Sequence, residues 1–262
     1  MVYLETDDMK IIDFHSHILP GIDDGSKNSK ESLEMLREAG RQGVNLMVAS
    51  SHFYANRDRV ERFLRRREDS WNRLQARIEK SRRQDRRDNY YRKMPEIRLG
   101  AEVAFFEGIS KAEEINKLTI EGTNILLLEM PFGKWKSSDL QEVADILEEG
   151  NIQIILAHLE RFLMISSNKN LIYELMELPL YIQVNAESLL HWRTRGRTLK
   201  LLDKKGIGLL GSDCHGIEHR VPNLKEGREV VRKKLGEYFY TRMDELGEEL
   251  LMPAADKMVV HF

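Results

Sequence analysis

The sequence predicts a closed parallel α/β barrel of seven strand–helix units in one domain. Three observations carry that expectation. Seven short apolar runs alternate with helical patterns along the chain, the order expected of a wound parallel sheet. Most of these runs are continuous rather than alternating, as in strands covered on both faces. Six of the seven end in acids or histidines, and barrel enzymes build their sites at the C-terminal ends of strands.

The first strand, 10–15, ends in Asp13-Phe14-His15-Ser16-His17. Successive side chains on a strand alternate faces, so His15 and His17 point the same way and can grip one ion. Asp13 is expected to orient a ligand histidine from behind. The tight loop Pro20-Gly21-Ile22-Asp23-Asp24-Gly25 can swing a carboxylate back over the rim. A helix over 30–42 leads to the second strand, 44–51, which stops at Ser51-His52. From Arg57 a long helix carries Val60, Phe63, Leu64, Trp71, Leu74 and Ile78 on one stripe. The third strand, 96–103, holds Glu102, and a helix over 110–118 follows. The fourth, 124–130, buries Glu129 between Leu128 and Met130, a costly position for a carboxylate that is neither paired nor bound to metal. Helix 138–149 leads to strand 152–158 and His158, and helix 167–177 leads to strand 180–186, the one run without such a terminus. Helix 195–205 precedes the last strand, 207–212, where Asp213 and His215 repeat the two-residue spacing. A helix over 222–236 closes the reading.

A lone histidine in an apolar run is usually a core residue satisfied by hydrogen bonds. Recurrence at successive strand ends is what favours a metal centre here. Mixed imidazole and carboxylate donors suit Mn, Fe or Zn better than Ca or Mg. His191 and His261 lack such placement and are expected on the surface; His219 stays open.

Composition narrows the class. The 262 residues are 41% hydrophobic and 32% charged, with formal net charge −2. No apolar stretch approaches the ~20 residues needed to span a bilayer. The N-terminus is acidic and lacks the pattern of a secretion signal. A single cysteine, Cys214, excludes an intramolecular disulfide framework. These features point to a cytoplasmic protein without membrane insertion. Residues 57–93 hold fifteen Lys or Arg against seven Asp or Glu. That stretch suggests either an ordinary barrel helix with a solvated charged face or a dock for an acidic partner. Interspersed acids argue against nucleic acid.

Taken together, IIDFHSHILPGIDDGSKNSKES, SSH, LGAE, LLLE, AHLERF and GSDCHGIEHR resemble the PHP (polymerase and histidinol phosphatase) superfamily. Within it the chain is similar to the bacterial capsule-associated, metal-dependent tyrosine-protein phosphatases of the CpsB/YwqE type, from about Lys10 to at least Gly236. The resemblance implies a distorted TIM-like (β/α)7 barrel with three divalent ions, commonly Mn. It assigns His15, His17, Glu102 and Asp213 to the first ion, Glu102, Glu129 and His158 to the second, and Asp24, His52 and His215 to the third. Arg161 and Arg220 match the family's phosphate-binding arginines. The implied chemistry is attack by a hydroxide held between two ions, with the arginines neutralising the phosphoryl oxygens. Asp24 or the His215 region is expected to assist the leaving phenolate. The implied substrate is a phosphotyrosine protein, a bacterial tyrosine autokinase of capsule or exopolysaccharide synthesis; oligomeric state is left open.

Departures from the family pattern are Phe53 after His52, the Arg-rich stretch 82–93, and residues 1–9. The rivals are a PHP phosphoesterase acting on a small monoester such as histidinol phosphate, and a weakly catalytic module that holds the kinase. Cys214 to Arg220 also spells C-x5-R, the spacing of cysteine-dependent tyrosine phosphatases. The loop is poor in the small residues that let backbone amides converge on phosphate, which argues against that mechanism.

Overall fold

The computed structural model describes residues 9–84 and 94–251. Seven parallel strands among them form one ring in sequence order. They are β1 (Ile12–Ser16), β2 (Leu46–Ala49, continued by His52–Phe53), β3 (Glu96–Leu99, continued by Glu102–Ala104), β4 (Ile125–Glu129), β5 (Gln153–Leu156), β6 (Tyr181–Asn185) and β7 (Leu209–Gly211). The register pairs Ile12 with Leu46, Leu46 with Glu96, His52 with Glu102, and Glu102 with Leu127. It continues through Ile125 with Gln153, Ile155 with Tyr181, and Gln183 with Leu209. The ring closes where Ser16 bridges Cys214 in parallel. There the Asp213 amide donates to the His15 carbonyl (2.7 Å) and the His17 amide to the Cys214 carbonyl (2.9 Å). The expected seven-unit barrel is therefore present. It is distorted where β2 and β3 break at Ser50–Ser51 and Gly100–Ala101.

Helices cover the outside: α1 (Ser29–Arg41), α2 (Val60–Gln84), α3 (Ser137–Glu148), α4 (Lys169–Glu177), α5 (Ala186–Leu190), α6 (Trp192–Lys205), α7 (Leu224–Leu235) and α8 (Glu237–Leu251). α1 starts where the Asn28 side chain accepts from the Lys30 and Glu31 amides (3.0 and 3.1 Å), which satisfies donors a helix start leaves unpaired. On α2, Val60, Phe63 and Leu74 are buried, and Leu64, Trp71 and Ile78 pack against the same core. The apolar stripe thus belongs to the barrel wall.

Two core layers result. The larger lies between strands and helices. The smaller joins Ile12, Leu46, Ile125 and Leu209 to Leu246, Leu250 and Leu251. Helix α8 therefore lies across the N-terminal ends of the strands, and the Lys10 amide meets Glu248 there. No element is expected after residue 236 from the sequence, although Met243, Leu246, Leu250 and Leu251 have helical spacing and are buried. The closed lower end leaves the C-terminal rim for chemistry.

Two other expectations need correction. Residues 110–118 form two 3-10 segments, Ile109–Lys111 and Glu113–Leu118, separated by extended Ala112 (φ −84°, ψ 96°). So short a connection closes with i→i+3 bonds rather than a stable α-helix. The helix expected at 195–205 begins at Trp192 after the separate α5. Residues 1–8, most of the Arg-rich stretch 82–93 and His261 lie outside the described residues. Among the described residues, no helix is long and apolar enough to cross a membrane.

Candidate metal centre

The rim gathers His15, His17, Asp24, His52, Glu102, Glu129, His158, Asp213 and His215 into four overlapping donor groups. Backbone geometry brings them there. Only three non-glycine residues among those described have positive φ, namely His158 (32°), Asp213 (51°) and Arg220 (50°). All three sit on this rim, where each left-handed residue costs on the order of 1–3 kcal/mol. The 17–26 loop folds back so that the Ser26 amide donates to the His17 carbonyl (3.0 Å). Gly25 lies so close that a Cβ there would fall 2.3 Å from the His17 carbonyl oxygen.

Hydrogen bonding determines which imidazole nitrogen faces inward. The Gln183 side-chain oxygen accepts the His158 amide (2.8 Å), which fixes the orientation of its amide group. That oxygen is also 3.1 Å from His15 Nδ1, so His15 donates through Nδ1 and keeps a lone pair on Nε2. Asp23 lies 2.8 Å from His17 Nδ1 and accepts the His52 and Gly25 amides, each at 3.0 Å. His17 therefore presents its Nε2 lone pair as well. Those two Nε2 atoms are 3.1 Å apart. Glu102 Oε2 lies 3.2 and 3.3 Å from them, and Asp213 Oδ1 3.5 and 3.4 Å.

Four lone pairs converging on one point repel unless a metal ion, or protons on the imidazoles, lie between them. Donors about 2.0–2.1 Å from a shared ion stand roughly 3.3 Å from one another in a tetrahedral site, so the donor spacing fits a divalent metal. A second indication is nearby. Glu102 Oε2 and His52 Nδ1 are buried with no hydrogen-bond partner, although only 2.8 Å separates them. Buried polar atoms of that kind call for an ion or a partner.

The remaining donors extend the cluster to both sides. His158 Nε2 lies 2.7 Å from Glu102 Oε1 and 3.2 Å from Glu129 Oε1. Asp24 Oδ1 lies 3.3 Å from His52 Nε2 and 3.5 Å from His215 Nε2. Each of the three sets expected from the sequence is therefore brought together. The sets also overlap more than expected: His17 falls within reach of Asp24, His52 and His215, and His52 within reach of Glu102 and Glu129.

Electrostatics explains how so many buried ionisable groups coexist. Burial alone would raise the Glu102 carboxyl, but His15, His158 and His17 hold it well below the usual range. Burial likewise opposes the charge on Asp213, which His15, His17 and Arg161 nevertheless hold well below its ordinary value. Asp213 divides its two oxygens. Oδ1 faces the imidazoles, while Oδ2 accepts from Arg161 Nη2 (2.5 Å), Arg220 Nη2 (2.5 Å) and Asn185 Nδ2 (2.7 Å). Both guanidiniums remain half-buried at the rim, each 34% exposed. They can turn charged donors toward an oxyanion above the cluster. His215 Nδ1 donates to the Asp213 carbonyl (2.9 Å), and Arg220 Nη1 donates to His215 Nε2 (2.9 Å). Burial, His17 and Arg220 push His215 down to about 4.

Several expectations change. Asp13 orients no imidazole: it accepts from the Ser212 hydroxyl (2.6 Å), the Ser212 amide (2.8 Å) and the His15 amide (3.2 Å), tying β7 to β1. The residues that orient rings are Asp23 and Gln183, which sequence reasoning missed. Asp23 is adjacent to Asp24 and indistinguishable from it by spacing, and Gln183 lies on the strand with no donor at its end. Cys214 is fully buried, and burial, then Asp13, push its thiol up to about 12. The C-x5-R segment therefore contains no accessible thiolate. His191 and His219 are exposed.

The family described as "Capsular polysaccharide synthesis, CpsB/CapC" matches residues 11–248. Tyrosine-protein phosphatase YwqE of Bacillus subtilis (strain 168) is 30% identical over 250 residues, covering 92% of this chain and 91% of that protein. Tyrosine-protein phosphatase CpsB of Streptococcus pneumoniae is 27% identical over 241 residues, covering 86% and 91%. One solved chain, from work on YwqE of B. subtilis and CpsB of S. pneumoniae, "unique metal-dependent tyrosine phosphatases", is similar with a TM-score of 0.77. Its sequence identity is 25%, and the match covers 92% of this chain and 94% of that one.

Proposed function

This chain belongs to the CpsB/CapC family, and from that membership we propose that it is a metal-dependent phosphatase that hydrolyses phosphotyrosine on proteins. The observation that carries the proposal is the convergence of two imidazole lone pairs and two carboxylates beneath two half-buried arginines. Such a floor binds cations, and such a roof binds an oxyanion.

In this reading three divalent ions are held, most readily Mn, with Fe or Zn as alternatives. His15, His17, Glu102 and Asp213 hold one. Glu102, Glu129 and His158 hold the second, and Asp24, His52 and His215 hold the third. When bound, the ions supply Lewis acidity and an activated water. The chain's own residues do the rest. Arg161 and Arg220 bind the phosphoryl oxygens and stabilise the charge that develops in transfer. Asp24, whose side chain is 66% exposed, stands at the mouth beside the cluster, where a water held on its second oxygen can pass a proton to the departing phenolate. Gln183 and Asp23 hold the Nδ1 protons of His15 and His17, so that Nε2 is the nitrogen each ring turns inward.

The substrate we infer is a bacterial tyrosine autokinase of capsule or exopolysaccharide synthesis, met in the cytoplasm by a single catalytic domain. The deciding experiment uses chelator-stripped protein and a phosphotyrosine peptide, with histidinol phosphate in parallel. Turnover of the peptide that returns only with Mn supports the proposal. Equal turnover without metal would overturn it, and preference for histidinol phosphate would replace the substrate.

A further inference from the structure

Phe132 lies just past the end of β4, three residues after Glu129. It is a large apolar side chain left 67% exposed, yet its loop is firmly held. The buried Trp135 donates through its indole to the Pro131 carbonyl (2.9 Å), and its amide donates to Asn168 Oδ1 (3.0 Å). Asn168 Nδ2 in turn donates to the Gly133 carbonyl (2.7 Å). The Phe132 ring lies nearly parallel to the His158 imidazole (28°, centroids 6.2 Å apart) and rests on Phe162 at 5.3 Å. Phe162 follows Arg161 on the same 3-10 turn, Leu159–Met164.

One short turn therefore carries both Arg161, the arginine proposed above to bind phosphate, and the support of an exposed aromatic ring. A single exposed apolar residue needs no special explanation on its own. Among the described residues, Phe132 is the exposed large hydrophobic whose ring packs on a histidine of the cluster. Trp192 and Tyr238, also exposed, sit at the starts of outer helices.

Resting on the phosphatase reading above, we propose that Phe132 is the specificity residue that selects aryl over alkyl phosphate esters, its exposed ring stacking on the ring of the phosphotyrosyl group. The ester of a phenol puts an aromatic ring directly on the leaving oxygen. With its phosphoryl group on Arg161, that ring comes beside Phe132. An offset or edge-on aromatic pair holds its centroids about 4.5–7 Å apart, the spacing Phe132 already keeps with its neighbours. A seryl or other alkyl ester carries no such ring and gains nothing from the wall.

The test is binding of two non-hydrolysable probes, phenylphosphonate and methylphosphonate, to the Mn-loaded protein by titration calorimetry. The expected preference of the wild-type protein for the phenyl probe is about tenfold, from ring stacking together with the apolar area covered. Phe132→Ala should erase that preference by weakening the phenyl probe alone, and Phe132→Trp should retain it. The KM for a phosphotyrosine peptide should rise in Phe132→Ala while kcat stays within about twofold, the pattern of lost uniform binding. Equal weakening of both probes would show that Phe132 merely supports His158 and would overturn the inference, as would an unchanged ratio. A wild-type protein that turns over phosphotyrosine while Phe132→Ala changes nothing overturns the inference alone. A wild-type protein inert to aryl phosphates overturns the phosphatase reading, and the inference with it.

Discussion

Replacing Asp23 with Asn tests the metal centre without replacing any proposed ligand. The carboxylate accepts three hydrogen bonds: His17 Nδ1 (2.8 Å) and the His52 amide (3.0 Å) on Oδ2, and the Gly25 amide (3.0 Å) on Oδ1. An amide of the same shape offers one oxygen. If that oxygen takes the Oδ2 position, the Gly25 amide faces a second donor. If it takes Oδ1, both His17 and His52 lose their acceptor, and the protonated Nδ1 of His17 is no longer favoured. In either case the inward Nε2 becomes a poorer lone-pair donor. Loss of a partner behind a metal-ligating histidine typically costs 10–100-fold in metal affinity, or about 1.4–2.7 kcal/mol. Asp23→Asn protein should therefore lose Mn to a calibrated chelator at about 10–100-fold lower competitor strength. Saturating Mn should restore much of its turnover. Denaturant unfolding of both metal-free proteins separates this effect from a general loss of stability. If Asp23→Asn holds Mn as tightly as the wild-type protein, the tautomer argument is wrong and Asp23 is simply a loop residue.

Three other outcomes are expected. Arg161→Ala should keep its metal content yet lose about 2–4 kcal/mol of transition-state stabilisation, by analogy with a lost oxyanion donor, measured as kcat/KM on a phosphotyrosine peptide. Cys214→Ala should remain active, and native wild-type protein should resist thiol alkylation at pH 8, because its buried thiol is raised to about 12 and stays neutral there. Arg228 and Asp244 are both buried and form a bidentate pair between α7 and α8, with Nη2 to Oδ2 at 2.7 Å. Arg228→Ala leaves the acid unpaired and should cost about 3–5 kcal/mol in denaturant unfolding.

The barrel and its donors were legible in the sequence because both follow from local, periodic chemistry. Continuous runs such as Ile125–Glu129 are buried along their whole length, and a run of that kind reads as a covered strand whatever surrounds it. Histidines and acids that terminate successive runs must meet once parallel strands close into a ring. All nine of the expected ligands do meet at the rim. Helix α8 was missed although its spacing is helical, since nothing in that spacing tells which end of the barrel it covers.

Tertiary structure alone decided the rest. Whether Asp23 or Asp24 turns inward depends on how closely the loop approaches His17, which Gly25 permits. The role of Gln183 depends on a contact across 168 residues. Asp13, expected behind a histidine, instead binds Ser212 at 199 residues' separation. The physical reason is common to these cases. A residue's place on its own strand follows from a period of two, whereas the partner of a polar atom is set by ring closure and loop return, which bring distant segments within hydrogen-bonding range. This sequence by itself determined that a cluster of candidate metal ligands lies at one end of a seven-stranded barrel; the folded chain determined which atom of each faces inward.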